Sequence, residues 1–250
     1  MNDGIVLSAE NVTLRYGSFT ALEDVSVAFR AGELTSIIGP NGAGKSSFFN
    51  VISGARTPST GRVVYDGRDI TGLPQHRYVH AGISKSFQIT NVFPALTAHE
   101  NVRLAAQAMV GGRNFWSKRS ALTATDDTAA QLLKEVGLAG EGRRRASELA
   151  HGQQRALEIA MALACSPRLL LMDEPTAGMS PEETRDMVSL IERLAETKTV
   201  VLVEHKMKLV LGISRRIIVL HHGRLLADGS PDDVRNDQEV KRVYLGQEAH

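Results

Sequence analysis

A parallel α/β sheet, with an antiparallel β part at its start and a mostly helical segment inserted into it, is the fold class predicted by three features of the sequence. The first is the apolar run Leu34 to Ile38, which leads into Gly39-Pro40-Asn41-Gly42-Ala43-Gly44-Lys45-Ser46 and then into a helical pattern, giving strand, glycine loop, helix. The second is a set of short, continuously apolar runs at 169–172, 200–203 and 217–220 separated by helical stretches, the pattern of strands covered on both faces. The third is a change of character between about 90 and 165, where the chain turns alanine-rich and loses strand signals.

The elements follow in order. From Val12 to Phe29 apolar and polar residues alternate (Val12, Leu14, then Val25, Val27, Phe29), the period of half-exposed antiparallel strands, with Tyr16-Gly17 as a turn carrying an exposed aromatic. After the glycine loop, apolar residues at 48, 49, 51 and 52 make a short helix that stops at Gly54. Arg62 to Tyr65 followed by Asp66-Gly67 reads as a strand with a hairpin turn. Helices are predicted at 98–110, 128–136 (closed by Gly137) and 152–165, with 111–113 and 139–145 as loops. The clearest helix runs from Pro181 to Leu194: Met187, Leu190, Ile191 and Leu194 fall on one face, and Ser180 with Glu183 forms a capping box ahead of Pro181.

Bulk properties bound the function. The 250 residues can bury a sizeable core, and 29 Lys+Arg against 28 Asp+Glu leaves no field suited to a dedicated nucleic-acid binder. Arg143-Arg144-Arg145 reads as a solvated or interface patch. The single cysteine, Cys165, cannot form an internal disulfide and, in an apolar helical run, reads as a small buried residue in a reducing compartment. Met1-Asn2-Asp3-Gly4 has no basic region followed by an apolar stretch, and no apolar run reaches membrane-spanning length, so a cytoplasmic protein is expected. A metal hydrolase is disfavoured. His76 and His80 are bracketed closely by Pro74 and Gly82 with no third ligand, and His221-His222, adjacent in a strand, are expected on opposite faces.

The chemistry rests on two motifs. The glycine loop fits G-x-x-x-x-G-K-[ST], in which backbone N–H groups turn inward around a phosphate, Lys45 reaches the β/γ-phosphates and Ser46 holds Mg²⁺. Leu169 to Met172 then delivers Asp173 and Glu174 to the carboxyl edge of a parallel sheet, where ligands bind. Alone, two carboxylates there would read as a solvated strand end. Beside a phosphate loop, Asp173 is the expected Mg²⁺ ligand, directly or through water, and Glu174 the group that orients and activates an attacking water.

Together these motifs, over nearly the whole chain, resemble the ATPases of ATP-binding-cassette (ABC) transporters. That resemblance implies a RecA-like P-loop NTPase core (1–89 and 166–250) with an N-terminal antiparallel β subdomain, and a helical subdomain at about 90–165. It implies ATP and Mg²⁺ as cofactors. Tyr16 would stack on adenine; Gln88, in Ser84-Lys85-Ser86-Phe87-Gln88, would sense Mg²⁺ and the membrane partner; and His205, in Val203-Glu204-His205, would contact the γ-phosphate. The ATP-binding set becomes Tyr16, Gly39, Asn41, Gly42, Gly44, Lys45, Ser46 and Ser47, joined by the signature residues Ala150, His151, Gly152 and Gln153. The catalytic set is Glu174, His205, Lys45 and Gln88, and the metal set Ser46, Gln88 and Asp173.

The sequence departs from the family pattern twice. Leu149-Ala150-His151-Gly152-Gln153 replaces Leu-Ser-Gly-Gly-Gln, removing the serine that meets the opposite subunit's γ-phosphate, and Ala177-Gly178-Met179-Ser180 ends in serine where an aspartate is usual. Weaker polar coupling across a dimer is the expected result. With Val243-Tyr244-Leu245-Gly246, these segments resemble importers of branched-chain amino acids, amides or urea; the lipopolysaccharide-exporter ATPase shares the C-terminal pattern but keeps the serine. The implied partners are a second cassette (self or sister chain) facing head to tail, membrane permease subunits and, indirectly, a solute-binding protein, with no nucleic acid. The protein would lie on the inner face of the membrane. Export of lipid or lipopolysaccharide and a non-transport soluble ABC ATPase are the alternatives, although the single phosphate loop and absence of heptads disfavour the latter.

Overall fold

Alternation of apolar and polar side chains carries the N-terminal residues into two long antiparallel strands, β1 (Ile5–Tyr16) and β2 (Phe19–Arg30), joined through the turn at Gly17-Ser18. β1 begins well before Val12, where the alternation becomes legible. Register shifts at Ile5/Leu7 and Ala9/Val12 break the two-residue period, and a bulge hides a strand from a pattern search. The structure, a computed structural model, describes residues 4–86, 92–109 and 119–245.

The remaining elements run in chain order. β3 (Leu34–Ile38) is wholly buried and leads through the glycine loop into α1 (Lys45–Ile52). β4 (Thr60–Tyr65) and β5 (Arg68–Asp69) form a hairpin whose turn residues Asp66 and Gly67 both have positive φ, 50° and 76°, as a tight right-twisted turn requires. Then come α2 (Gln75–Ala81), β6 (Ile83–Ser86), α3 (Ala98–Met109), α4 (Arg119–Glu135), a 3₁₀ turn (Ala146–Glu148) and α5 (His151–Leu163). The chain closes with β7 (Leu169–Asp173), α6 (Pro181–Ala195), β8 (Thr199–Val203), α7 (Met207–Ile213), β9 (Arg216–His221), β10 (Arg224–Gly229), α8 (Pro231–Asn236) and α9 (Gln238–Leu245).

Two compact units emerge, one of Met1–Tyr78, Leu171–Glu174 and Glu192–His250, the other of Val79–Leu170 and Pro175–Ile191. In the first, β3 lies between β8 and β9 and is parallel to both, with β10 antiparallel on the far side of β9. A second sheet has the order β2-β1-β4-β5. Phe29 of β2 and Phe48 of α1, both fully buried, stack with ring centroids 6.5 Å apart. Under α8 and α9, Ile38, Val210, Ile217, Val219, Val234 and Val240 make one apolar cluster, with Tyr244 packed against it.

The second unit is mainly helical. α4 starts at Arg119 rather than near Thr128, because its buried stripe runs through Thr125, Ala129 and Leu133 at four-residue spacing, and a weak helix former such as threonine masks the periodicity. Asn101 on α3 is fully buried and satisfied: its Oδ1 accepts from Phe93 N–H at 2.7 Å, and its Nδ2 donates to the Phe93 and Thr97 carbonyls at 3.1 and 2.9 Å. On α5 the buried Arg155 and Glu158 form an ion pair at 2.8 Å. Cys165 lies past the end of α5 rather than in the helix; it is half-buried, and that burial pushes its thiol up.

Candidate nucleotide site

Two glycines of the loop after β3, Gly39 and Gly44, are required by contact. A Cβ on Gly39 would stand 2.3 Å from the Leu220 carbonyl oxygen, and one on Gly44, whose φ is +99°, 2.9 Å from that of Ala21. Ala43 N–H donates back to Pro40 O at 3.1 Å, and Phe48 N–H to Gly44 O at 2.8 Å starts α1. No side chain caps α1 and its first turn holds no acidic residue. Its positive end therefore fits an anion.

Lys45 is buried and folds back over this loop, its Nζ donating to the carbonyls of Gly39 at 2.7 Å and Pro40 at 3.0 Å. Burial pulls its ammonium below the usual lysine value, and the nearby carboxylates of Glu174 and Asp173 oppose that shift. Asp173 is buried at the end of β7, whereas Ser46 is exposed at the first turn of α1 and Ser47 half-buried. A carboxylate and a hydroxyl are the hard oxygen donors Mg²⁺ takes, usually with water completing its shell.

Glu174 departs from the strand geometry of β7 with φ +45°, a left-handed conformation that costs a non-glycine residue about 1–2 kcal/mol. Its N–H donates to Val203 O at 2.9 Å, which fixes it against the end of β8. There His205 Nδ1 lies 3.7 Å from Glu174 Oε1 and 3.9 Å from Glu204 Oε2, and the Glu204 side chain is fully buried while that of His205 is half-exposed. Tyr16 ends β1 at 44% exposure, with Phe19 across the turn at 64%, so this hairpin offers aromatic faces to solvent. Gln88 lies outside the described residues.

The β9–β10 turn is a part of the loop's support that sequence reasoning missed. Gly223 N–H donates to Ala43 O at 3.0 Å and Gly223 O accepts from Glu23 N–H at 2.8 Å. Gly223 is itself required by contact, since a Cβ there would meet Ala21 O at 2.6 Å. His221 and His222 also differ from expectation: their ring centroids are 4.0 Å apart rather than on opposite faces. His222 has left the strand with φ +47°, so side-chain alternation no longer applies. Burial, then the His222 and Arg242 charges, lowers the His221 pKa. His76 and His80 are exposed on α2, and among the described residues no three His, Cys, Asp or Glu gather as a metal cluster.

In the second unit, Ala150, His151, Gly152 and Gln153 open α5. Ala150 N–H donates to Gln153 Oε1 at 3.0 Å, and Gly152 N–H donates to Glu183 Oε1 at 2.9 Å. The other oxygen of Glu183 accepts from Ser180 N–H at 2.9 Å, and Ser180 Oγ accepts from Glu183 N–H at 3.2 Å. The capping box of α6 thus also holds the start of α5. The Ser180 amide first and the Gly152 amide next keep the Glu183 carboxyl below the usual carboxylate range. Since aspartate caps nearly as well as serine, Ser180→Asp is expected to change stability by less than about 1 kcal/mol and to leave ATPase activity equal or higher. Thermal melts with phosphate-release rates test this, and a clear loss of melting temperature would mean that the turn is built around the hydroxyl.

Comparison with known proteins matches this geometry to one family. The family model "ABC transporter" covers residues 22–177, and "Branched-chain amino acid ATP-binding cassette transporter" covers residues 224–250. The chain is 40% identical to the high-affinity branched-chain amino acid transport ATP-binding protein BraF of Pseudomonas aeruginosa, over 97% of this chain and 98% of that protein. It is 33% identical to the lipopolysaccharide export system ATP-binding protein LptB of Haemophilus influenzae, again over 97% and 98%. Among solved structures, the ADP conformation of an ATP-binding cassette of an ABC transporter superposes with a TM-score of 0.85 at 30% identity, covering 97% of this chain and 99% of that one. A phosphate loop on a RecA-like core, a helical lobe and this degree of likeness over almost the full length lead to one conclusion: the chain belongs to the ATP-binding cassette ATPases of ABC transporters.

Proposed function

We propose that this chain is the ATP-hydrolysing subunit of an importer for branched-chain amino acids or related amides. The observation that carries the reading is the C-terminal match over residues 224–250, the segment of β10, α8 and α9, to the cassette model of branched-chain amino acid transporters. The higher identity to BraF than to LptB supports it in the same direction. Among the described residues no helix is long and apolar enough to cross a membrane, so coupling to transport would come through separate permease subunits on the inner face of the membrane.

Bound Mg-ATP supplies the reactive phosphoanhydride and the charge that polarises it. Lys45 would leave its two loop carbonyls for the β/γ-phosphates, and Ser46 and Asp173 would hold the metal with Gln88. Tyr16 would stack on the base, and Asn41 and Ser47 would add loop contacts. Glu174 would orient a water and accept its proton, and His205, 3.7 Å from Glu174, would contact the terminal phosphate. Ala150, His151, Gly152 and Gln153 would face the nucleotide of a second cassette. Reconstitution of the chain with candidate permease and solute-binding subunits tests the assignment. ATP-dependent leucine uptake into proteoliposomes is the expected result, and ATPase stimulation by lipopolysaccharide without amino-acid uptake would replace it with the export reading.

A further inference from the structure

The last helix of the first unit reaches the first residue of the phosphate loop. On α9, Val240 and Tyr244 are four positions apart and share one face, which covers the apolar cluster containing Ile38, Val210, Ile217, Val219 and Val234. Ile38 ends β3, and the residue after it is Gly39.

The Tyr244 side chain is half-buried, but its hydroxyl oxygen is shut off from solvent and makes no hydrogen bond of good geometry among the described residues. Burial pushes the phenol well above its usual value, and the Gly39 backbone opposes that shift. Only a donor favours the phenolate, so the Gly39 group acting on the hydroxyl is its N–H and not its carbonyl. A phenylalanine would fill the apolar cluster equally well, and a buried phenol oxygen with no partner is costly. The oxygen therefore calls for a polar role, and Gly39 offers one. The Gly39 carbonyl accepts from Lys45 Nζ at 2.7 Å, and a Cβ on Gly39 would stand 2.3 Å from Leu220 O and 2.9 Å from Ala43 Cβ. Gly39 is thus tied at its carbonyl by the lysine and crowded at its Cα by the end of β9, while its N–H faces Tyr244.

We propose that Tyr244 is a positioning residue for the phosphate loop, its hydroxyl oxygen accepting from the Gly39 N–H and holding the first residue of the loop in the orientation that nucleotide binding uses. Once Lys45 leaves the Gly39 carbonyl for the phosphates, the bond at the N–H is what still holds that residue. Tyr244 acts through Gly39 and not by touching nucleotide, whichever solute the transporter carries.

Tyr244→Phe keeps the ring and its packing and removes only the oxygen. In the full chain the KM for ATP and the Kd for ADP are each expected to rise at least about threefold, with kcat held within about twofold, because a displaced loop weakens ground and transition states alike. The melting temperature should stay within about 2 °C of wild type. Hydrogen exchange at the Gly39 amide, followed by NMR with ADP bound, should be at least about fivefold faster in the variant. Tyr244→Leu, which also removes the ring, should add a lower melting temperature to the same rise in KM. Unchanged KM and ADP affinity in Tyr244→Phe would overturn the proposal, as would unchanged exchange at Gly39. So would a rise in KM that appears only in Tyr244→Leu together with a lower melting temperature, since ring packing would then be the whole role. Failure of the wild-type chain to bind ADP would instead overturn the nucleotide site, and this role with it.

Discussion

Lys45→Ala is expected to reduce phosphate release to background and to weaken ATP binding at least about tenfold, because the buried ammonium that ties the loop is also the group proposed to meet the phosphates. It donates to the Gly39 and Pro40 carbonyls at 2.7 and 3.0 Å, and it balances the Asp173 and Glu174 carboxylates nearby. Alanine leaves both carbonyls and both carboxylates without it. With nucleotide present, the same loss would remove the cation proposed to meet the phosphates. Phosphate-release assays and fluorescent-nucleotide titrations read the two effects separately, and a variant that kept wild-type turnover would remove the basis of the proposed site.

Glu174→Gln is expected to bind ATP, to hydrolyse it at least about a hundredfold more slowly, and to accumulate as an ATP-held dimer. Glutamine preserves the size of the side chain in the left-handed position at φ +45° and keeps the strain unchanged, so the loss falls on proton transfer rather than on folding. Light scattering should show dimer with Mg-ATP and monomer with Mg-ADP. Adding Gly152→Asp should abolish the dimer: a Cβ there already meets Glu183 Oε1 at 3.0 Å, and a second carboxylate would repel the incoming phosphate. A monomer under every condition would point to obligatory pairing with a sister cassette or with the membrane subunits.

Much of this molecule is legible because its information is local. The glycine loop, the buried strands around it and the capping box at Ser180 and Glu183 are each written in a handful of consecutive residues, and the structure places the strands and helices accordingly. The illegible parts depend on residues distant in sequence or on local breaks in period. Bulges concealed the first half of β1, threonines concealed the start of α4, and a single left-handed residue, His222, brought together two rings that strand alternation would separate. The bond between Gly152 and Glu183 spans 31 positions, and the support of Ala43 by Gly223 spans 180, the difference of 223 and 43; no window along the chain contains either pair. The positions of Lys45, Asp173, Glu174 and His205 could be read as motifs, but the retracted lysine and the 3.7 Å spacing of His205 from Glu174 could not.

The carboxylate of Glu183 at the start of α5 also bears on how the resting protein behaves among the anions of a cell. A bare helix terminus would attract inorganic phosphate, sulfate and free nucleotide indiscriminately. Here the Gly152 amide is already satisfied by an anion on the same chain, held in place by the fold and by its second bond to Ser180. A solute diffusing in at ordinary concentration competes poorly with such an occupant. An anion presented on a docked protein surface would itself be tethered and would compete on comparable terms, so in the proposed dimer the tie at Glu183 would favour delivered phosphate over dissolved phosphate.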